Sequence, residues 1–373
     1  MNEKGVITNI EQLTPEWLTN IFKKKGYLSN GKVTKINKRN SQETFTSYVH
    51  FLELNFSNDA QTEGASPEIV IKIPKSVNMA KLVGIREVKF YSIVAETMNE
   101  MPIPTCYDAV FSEETGGSHI ILDDLSKTHI DLKYAPIPPS KRYCERAIDC
   151  LAEIHAFWWD YHKLKELSKH VNFIYIFKEN SFHEKEIFKW SKKQNRTLRR
   201  FLKFLGDRIS DKRKELFKTV FSLYPQSAYE RIKKENITLI HNDAHFWNFF
   251  YPKDIENEKN KALLIDWQGW SIGVGGRDLA YMIGFNLFPD YRHLIEKDLI
   301  KRYHNDLLKF GVKNYSWDDC WYDYRLGALL NLYRIVSWWS INLPPSLWWP
   351  TLEISILTLE DLNCMELLES KNK

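Results

Sequence analysis

The chain has 373 residues, of which 43% are hydrophobic and 27% charged, and this composition is typical of a globular protein with room for two buried cores. Its 52 basic and 48 acidic residues leave a net charge of +4, which is too small to indicate a nucleic-acid partner. The five cysteines are odd in number and lack CxxC spacing, so we expect a reducing, cytoplasmic setting and no metal site among them. We also expect no signal peptide and no membrane partner, because no apolar run reaches the roughly 18 residues of a membrane span.

The N-terminal part of the chain predicts a helix followed by a strand hairpin. Thr14 can cap a helix that has Pro15 at its first position, and this helix is expected to end near Gly26. Over residues 33–56 the pattern changes to period two, with Tyr48, Leu52, Leu54 and Phe56 on one face, which predicts two paired strands. Residues 40–47 between these strands are polar and contain no glycine.

A charged side chain interrupts the next predicted strand. Residues 68–74 are largely β-branched and carry Lys72 in their middle, where a lysine is costly unless its ammonium group meets an anion. Glu87 follows fifteen residues later, within a helix expected over about residues 82–98. The pattern then predicts two strands and a long helix at residues 102–111, 118–122 and 142–159.

Two later segments carry the chemistry. Apolar residues 237–240 lead into a polar cluster with Asp243 and Asn248, and apolar residues 262–265 lead into Asp266. This pattern predicts two short buried strands that each deliver a reactive side chain at their end. Carboxylate and amide oxygens are ligands that Mg²⁺ accepts, together with phosphate and water. A base and two metal ligands are also the groups that phosphoryl transfer requires.

The motifs HNDAHFWN at residues 241–248 and IDWQ at residues 265–268 resemble the catalytic segment of the protein-kinase-like small-molecule phosphotransferases. That group includes aminoglycoside, choline and ecdysteroid kinases, and the segment GRDLAY at residues 276–281 is most similar to the ecdysteroid-kinase-like branch. The resemblance implies an α+β, two-lobed protein-kinase-like fold. A small antiparallel-sheet N-lobe that binds the nucleotide is expected over residues 1–124, and a larger, mainly helical C-lobe for catalysis and substrate binding over residues 125–373.

The resemblance also implies a role for each candidate residue. Lys72, oriented by Glu87, would hold the phosphates of ATP. Asn248 and Asp266 would bind Mg²⁺, and Asp243 would take the proton from a hydroxyl group of a small-molecule acceptor. The implied activity is therefore that of an ATP-dependent small-molecule kinase.

Three further positions are implied only by their place in the family pattern. Residues 40–47 occupy the place of the loop that covers the phosphates, where Ser47 or another hydroxyl residue would have to act in place of glycine. The linker between the lobes, where main-chain groups bind adenine, would contain Asp123 and Leu125. We therefore predict that Ser47, Asp123 and Leu125 contact the nucleotide.

Other polar residues of the motifs have structural explanations. We expect His241 to be held by main-chain hydrogen bonds and His155 to pack beside the catalytic loop. Asp278 is expected to cap the helix that begins after the glycine-rich residues 273–276 and to fasten the loop before it.

Three alternatives stay open to different degrees. A protein kinase is disfavoured because Asn242 occupies the place of the arginine that precedes the catalytic aspartate, and the chain has no Asp-Phe-Gly or Ala-Pro-Glu triplet. A non-catalytic nucleotide-binding or scaffold protein with the same fold is suggested by the glycine-free residues 40–47. A related transferase that moves AMP instead of phosphate also fits the sequence.

The last third of the chain is rich in tryptophan, with six between Trp317 and Trp349. If some of them face the site, they form flat apolar walls, which favours a bulky apolar alcohol as acceptor. An aminoglycoside would instead need many carboxylates around its ammonium groups. Packing in the core is the alternative explanation for these tryptophans.

Overall fold

The computed structural model describes residues 5–98, 100–132, 137–167 and 184–369. The chain divides into two compact units, each built from several segments. Unit 1 consists of Met1–Asp131, Phe250–Asp254 and Leu263–Gly269. Unit 2 consists of Leu132–Phe249, Ile255–Ala262 and Trp270–Lys373. Unit 1 thus takes two short segments from the second half of the sequence.

The strands lie mainly in the first third of the chain. They are β1 (Leu28–Asn30), β2 (Val33–Glu43), β3 (Ser47–Phe56), β4 (Gln61–Thr62), β5 (Glu68–Pro74), β6 (Cys106–Phe111), β7 (Ser118–Asp123), β8 (His129–Ile130), β9 (Thr238–Ile240), β10 (Phe249–Pro252), β11 (Leu263–Leu264) and β12 (Ser271–Gly273). A five-stranded antiparallel sheet in the order β2-β3-β5-β7-β6 forms the main layer of unit 1.

The hairpin predicted over residues 33–56 is confirmed, but its loop is shorter than expected. Strand β2 continues to Glu43, because Ser41 and Glu43 pair with His50 and Tyr48 of β3. Residues 44–46 alone form the turn, so the predicted loop over residues 40–47 was too long. A polar strand on an exposed sheet face has the same composition as a loop, and composition therefore misled the prediction.

Helices make up most of the remaining chain, and the described residues are 53% helical. The α-helices are α1 (Pro15–Lys24), α2 (Val77–Met79), α3 (Ile85–Lys89), α4 (Lys141–Phe157), α5 (Leu164–Leu167), α6 (Glu184–Leu205), α7 (Asp211–Ile232), α8 (Gly276–Leu279), α9 (Pro289–Lys309), α10 (Trp317–Ser340), α11 (Pro345–Asp361) and α12 (Glu366–Glu369). Wider π-helical turns flank α3 at Ala80–Gly84 and Phe90–Val94, and another follows α8 at Ala280–Phe285. None of the helices within the described residues has the length and apolar character to cross a bilayer.

Each unit has an apolar core that its sequence pattern explains. In unit 1, Leu18 and Phe22 of α1 are fully buried in a cluster with residues of β3 and β5. The predicted cap of α1 is confirmed, since Thr14 Oγ1 accepts a hydrogen bond from the Trp17 N–H at 3.1 Å. In unit 2, α10 is buried along most of its length and packs against α6, α7, α8, α9 and α11.

Candidate active site

Three charged side chains meet in unit 1. Lys72 Nζ lies 2.7 Å from Glu87 Oε2 and 2.7 Å from Asp266 Oδ1. Lys72 comes from β5, between Val49 of β3 and Ile120 of β7, while Glu87 comes from α3 and Asp266 follows β11. The predicted pairing of Lys72 with Glu87 is therefore present, and Asp266 joins it; the roles of all three remain predictions.

The charges of this cluster depend on one another. Burial disfavours the ammonium form of Lys72, but Asp266 and Glu87 more than offset this and raise the pKa of Lys72 above its ordinary value. Burial raises the pKa of Glu87, and Lys72 opposes that effect. A buried ion pair adds little stability relative to apolar residues of the same shape. Three such charges gathered around a lysine in the middle of a sheet therefore indicate a functional site.

An aromatic stack supports this cluster. The rings of Trp267 and Phe90 stack with centroids 3.9 Å apart, and their planes differ by 5°. Because Phe90 directly follows α3, the stack ties the segment that carries Asp266 to the helical segment that carries Glu87. Asp266 itself has a φ of 65°, a left-handed conformation that aspartate tolerates better than most residues. Gln268 Nε2 donates to Asp266 Oδ2 at 3.2 Å.

Asp243 and Asn248 lie together in unit 2, in the segment that follows β9. The Asn248 amide donates from Nδ2 to the main-chain oxygen of Asp243 at 2.8 Å, which turns its Oδ1 oxygen toward other partners. Asp243 is half-buried. Within the described ranges, its carboxylate makes no hydrogen bond or ion pair, so it is available to accept a proton from a hydroxyl group.

Asn242, the residue before Asp243, explains one departure from the protein-kinase pattern. Its φ is 65°, and asparagine adopts this left-handed conformation with less strain than arginine. Its side chain donates to Ser271 Oγ and accepts from Arg277 Nη2 at 3.0 Å. Arg277 is thus a site residue that the sequence analysis did not select.

Asp278 holds the segment before Asp243 in place. Its carboxylate accepts from the N–H groups of His241 at 2.6 Å and Asn242 at 2.8 Å, and it lies 3.3 Å from His155 Nε2. The carboxylate was expected to fasten the loop before α8, but it fastens the segment at His241 and Asn242 instead. Both histidines have the structural contacts expected of them. The expected helix cap is wrong, because Asp278 lies within α8, whose cap position is Gly275.

The hydrogen bonds of Asp278 outweigh its burial. Burial opposes its ionisation, but the hydrogen bond and charge of His155, together with the N–H of His241, lower the pKa of Asp278.

The glycines next to Asp278 allow α8 to pack closely in unit 2. A Cβ atom on Gly275 would lie 2.1 Å from Tyr303 Oη, and one on Gly276 would lie 2.5 Å from a main-chain carbon of Asp323.

The structure places the three remaining predicted nucleotide contacts in unit 1. Ser47 is buried at the start of β3, and its main-chain groups close the turn through Thr44. The Asp123 N–H donates to the Thr105 oxygen, and the Leu125 oxygen accepts from the Thr128 N–H. Main-chain groups of this segment thus have partners within the protein. Contact of Ser47, Asp123 and Leu125 with a nucleotide stays a prediction.

Asn248 and Asp266 have the donor chemistry for Mg²⁺. Both present oxygen atoms, which a hard divalent cation prefers. Across the described ranges, no group of three or more histidine, cysteine, aspartate or glutamate side chains could hold a metal ion. A magnesium ion would therefore need phosphate oxygens and water to complete its coordination, which is how Mg²⁺ commonly binds with nucleotides.

One tryptophan of the C-terminal third connects to the catalytic segment. The Trp338 ring contacts Phe285 with centroids 5.3 Å apart, Phe285 stacks on Tyr281 at 5.2 Å, and Tyr281 lies 6.3 Å from His245. Most of the other tryptophans pack against aromatic neighbours, as the pairs Trp317–Trp321, Trp339–Phe201 and Trp348–Phe201 show. Core packing explains these pairs, and Trp338 is the candidate for an aromatic wall.

Comparison with known proteins identifies the family and the fold of the chain. Residues 41–313 match the model of the ecdysteroid kinase-like family. The chain is similar to the structure of an ethanolamine kinase from Plasmodium vivax, with 13% identity, a TM-score of 0.54, and 89% of this chain and 83% of that one covered. No curated protein sequence matches the chain.

Two further structures are similar but have lower TM-scores. A choline kinase from Streptococcus pneumoniae is 15% identical with a TM-score of 0.48, covering 88% of this chain and 94% of that one. The GDP complex of wild-type aminoglycoside 2′-phosphotransferase-IIIa is 13% identical with a TM-score of 0.47, covering 96% and 98%. The family match and the ethanolamine kinase confirm the predicted protein-kinase-like fold, with its antiparallel sheet in the N-terminal part and helices in the C-terminal part.

Proposed function

Because the chain belongs to the ecdysteroid kinase-like family, we propose that it is an ATP-dependent phosphotransferase that phosphorylates a hydroxyl group of a small molecule. The observation that carries the proposal is the position of Lys72 within 2.7 Å of both Glu87 and Asp266. Asp266 is 194 residues from Lys72 in sequence, and each of the three residues has a role in phosphoryl transfer by its motif. The finding that they meet supports the use of Lys72 for nucleotide phosphates.

The proposed reaction gives each candidate side chain one task. Lys72 Nζ would neutralise phosphate oxygens of ATP, and Glu87 would keep the ammonium group oriented. Asp243 would align the acceptor hydroxyl and receive its proton. The acceptor oxygen forms a bond to the γ-phosphorus as the bond from that phosphorus to the bridging oxygen of ADP breaks. The products are the phosphorylated acceptor, ADP and a proton.

Asn248 and Asp266 are the residues that would hold Mg²⁺ in this proposal. When bound, the ion would neutralise charge on the phosphate oxygens. Asp266 also contacts Lys72, and Gln268 constrains its second oxygen, so its carboxylate is held in a defined orientation.

We further propose a bulky, largely apolar acceptor rather than an aminoglycoside. Trp338, Phe285 and Tyr281 form a continuous set of ring contacts that leads to His245, two residues after Asp243 in sequence. Flat aromatic side chains bind apolar ring systems well. The cytoplasmic setting belongs to the same proposal and rests on the number and spacing of the cysteines.

The proposal is tested with an ATP-consumption assay against hydroxylated metabolites, including steroids, macrolides, choline and aminoglycosides. Turnover should require Lys72, so we expect it in wild type and in Lys75→Met but not in Lys72→Met. Lys75 is a matched control because it lies just after the same strand and pairs with Glu43 at 2.6 Å. ATP hydrolysis or transfer that is equal in the two variants would contradict the proposal.

A non-catalytic nucleotide-binding protein is the second candidate, and the turn at residues 44–46 favours it because it contains no glycine to bring main-chain N–H groups close to phosphate. Calorimetry with ATP separates the two candidates. Tight ATP binding without turnover on any acceptor in the screen would favour the second candidate. Mass spectrometry of the product would identify a transferred AMP group instead.

A further inference from the structure

Two buried arginines near the catalytic segment have no acidic partner. Arg277 and Arg334 are each 7% exposed, and neither forms an ion pair with any of the described residues. Two other buried arginines of unit 2 do have carboxylate partners. Arg231 donates to both carboxylate oxygens of Asp323, at 2.6 and 2.7 Å, and Arg292 pairs with Glu296 at 2.9 Å.

Both arginines are tied to the segment that carries Asp243. Arg277 Nη2 donates to the side chain of Asn242, the residue immediately before Asp243. Arg334 lies with its guanidinium carbon 4.1 Å from the centroid of the Tyr281 ring, a close cation–π contact. Tyr281 in turn contacts His245, two residues after Asp243.

Several buried polar nitrogens in this cluster lack hydrogen-bond partners among the described residues. The Nε atoms of Arg277 and Arg334, Nε1 of Trp247 and Nδ1 of His245 are buried, and no described group forms a hydrogen bond with any of them. Trp247 and His245 are neighbours, with ring centroids 5.8 Å apart. Buried donors without acceptors are rare and costly in folded proteins.

The two arginines also affect each other electrostatically. Burial lowers the pKa of Arg277 and the charge of Arg334 adds to this effect, whereas Tyr224 and the carboxylate of Asp278 oppose it. Two like charges near each other in a buried environment destabilise one another. An anion would supply both the missing negative charge and the missing hydrogen-bond acceptors.

We propose that Arg277 and Arg334 form a binding site for an oxyanion group of the acceptor, such as a carboxylate, sulfate or phosphate. This inference rests on the proposed function. The favoured acceptor is amphipathic: an apolar body against the half-buried ring of Trp338, an anionic group on the arginines, and a hydroxyl group at Asp243. Planar guanidinium groups bind such anions with two parallel hydrogen bonds.

The acceptor is a better source of this anion than the nucleotide. The phosphates of ATP already have a proposed partner in Lys72, which two carboxylates hold in unit 1. Arg277 and Arg334 belong to unit 2, where they are tied to the segment that would receive the acceptor's proton. An uncharged acceptor would leave the guanidinium group of Arg334 without an anionic partner among the described residues.

The first test measures anion binding without turnover. Wild type is titrated with sodium sulfate, against sodium chloride at equal ionic strength, and followed by intrinsic tryptophan fluorescence. We expect saturable binding that weakens roughly 10-fold or more in Arg334→Met and only partly in Arg334→Lys. Arg213→Met is the matched control, because Arg213 is paired with Glu353 on the surface and should leave sulfate binding unchanged. The absence of a saturable response in wild type, or an equal loss in the control, would overturn the proposal.

The second test identifies the source of the anion. Sulfate at saturation should leave the calorimetric affinity for ATP unchanged, and competition with ATP would assign the arginines to nucleotide phosphate and overturn the proposal. A hydroxylated fused-ring carboxylic acid, cholate, is then compared with its methyl ester as acceptor. Wild type should prefer the acid, and Arg334→Met should raise the KM of the acid roughly 10-fold while the KM of ATP stays within about two-fold. Equal use of acid and ester would count against the subsite.

The two proposals fail in distinguishable ways. If sulfate binds through Arg334 but no acceptor is phosphorylated, the phosphotransferase activity fails and the anion site stands. If acceptors are phosphorylated but sulfate does not bind, the activity stands and the anion site fails.

Discussion

Buried cations are neutralised differently in the two units. In unit 1, Lys72 has a carboxylate on each side, and both contacts are 2.7 Å long. In unit 2, Arg277 and Arg334 have no carboxylate partner among the described residues, although Arg231 and Arg292 in the same unit do. The difference therefore does not reflect a shortage of acidic residues in unit 2.

This contrast separates three uses of a buried charge. Arg231 and Asp323 satisfy each other, and their pair is structural. Lys72 is kept protonated and oriented by two acids, which suits a cation that exchanges partners with phosphate. Arg277 and Arg334 lack such acids, which suits a cation whose partner is a ligand. Function at a site often conflicts with stability in this way.

The largest expected effect is on turnover, from a substitution of Asp243, the proposed general base in unit 2. Asp243→Asn should reduce turnover by about 10²–10⁴-fold, because a positioned general base contributes that much to proton transfer. ATP affinity and the thermal midpoint should change little, since the Asp243 carboxylate forms no hydrogen bond or ion pair with other described residues. Single-turnover kinetics check the first point and calorimetry the second. A rate near that of wild type would remove Asp243 from the mechanism.

The second largest effect is on stability, and we expect it when a structural cation is removed. Arg231→Met leaves Asp323 buried without its partner, and breaking such a pair costs about 3–5 kcal/mol of unfolding free energy. Burial already raises the pKa of Asp323, so its charge depends on Arg231. Urea unfolding measures the loss. A variant as stable as wild type would show that the two classes of arginine do not differ.

On the nucleotide side, Asp266→Ala should strongly reduce the Mg²⁺-dependent affinity for ATP. Asn248 alone is a neutral and weak ligand for a hard dication, so we expect the loss to be about 10-fold or more. Calorimetric titration with ATP, in the presence and absence of Mg²⁺, measures this effect, and Asp254→Ala is the control. Unchanged magnesium dependence would place the metal elsewhere.

Asp278 provides a pH test of how the catalytic segment is held. Asp278→Asn should cost about 1–3 kcal/mol at neutral pH, because buried N–H groups lose a charged acceptor. The pKa of Asp278 is lowered in the folded protein, so its ionisation stabilises the fold above the ordinary aspartate value near 4. This contribution is lost as the pH falls through the lower folded value. The stability difference between wild type and variant should therefore shrink in urea titrations below about pH 4.

The smallest expected effect on stability is that of Arg334→Met. Removal of a buried charge without an acidic partner should change the unfolding free energy by less than about 1 kcal/mol, or raise it, because methionine fills similar volume without a charge. Differential scanning calorimetry of this variant beside Arg231→Met tests the contrast directly. A loss as large as that of Arg231→Met would make Arg334 a structural residue.

Strong local signals allowed much of the fold to be predicted. The cap at Thr14, the hairpin, and the long helix near residues 141–157 each follow from short-range patterns. The loop over residues 40–47 was wrong because an exposed polar strand and a loop share the same composition. The prediction that Asp278 caps a helix was wrong, because a side chain near a helix start has other main-chain N–H groups within reach.

The site was predicted in part, and the missed residues carried a comparable signal. Lys72 was selected because it is charged within an apolar strand, and Arg334 is similarly placed within the apolar residues of α10. A helix can turn one charged residue to solvent, so its burial was not evident from sequence. Arg277 was passed over because it stands beside Asp278, which had a simpler structural explanation.

The sequence by itself determined the family pattern, the order of the elements and the identities of Lys72, Glu87, Asp243, Asn248 and Asp266. These depend on spacing along the chain and on side-chain chemistry, and both can be read directly. Only the tertiary structure decided that Asp266 lies against Lys72, 194 residues away in sequence. It also decided that Arg277 and Arg334 lack acidic partners where Arg231 has one. Charge pairing in a folded protein depends on which distant segments are buried together, and periodicity along the chain does not encode that distance.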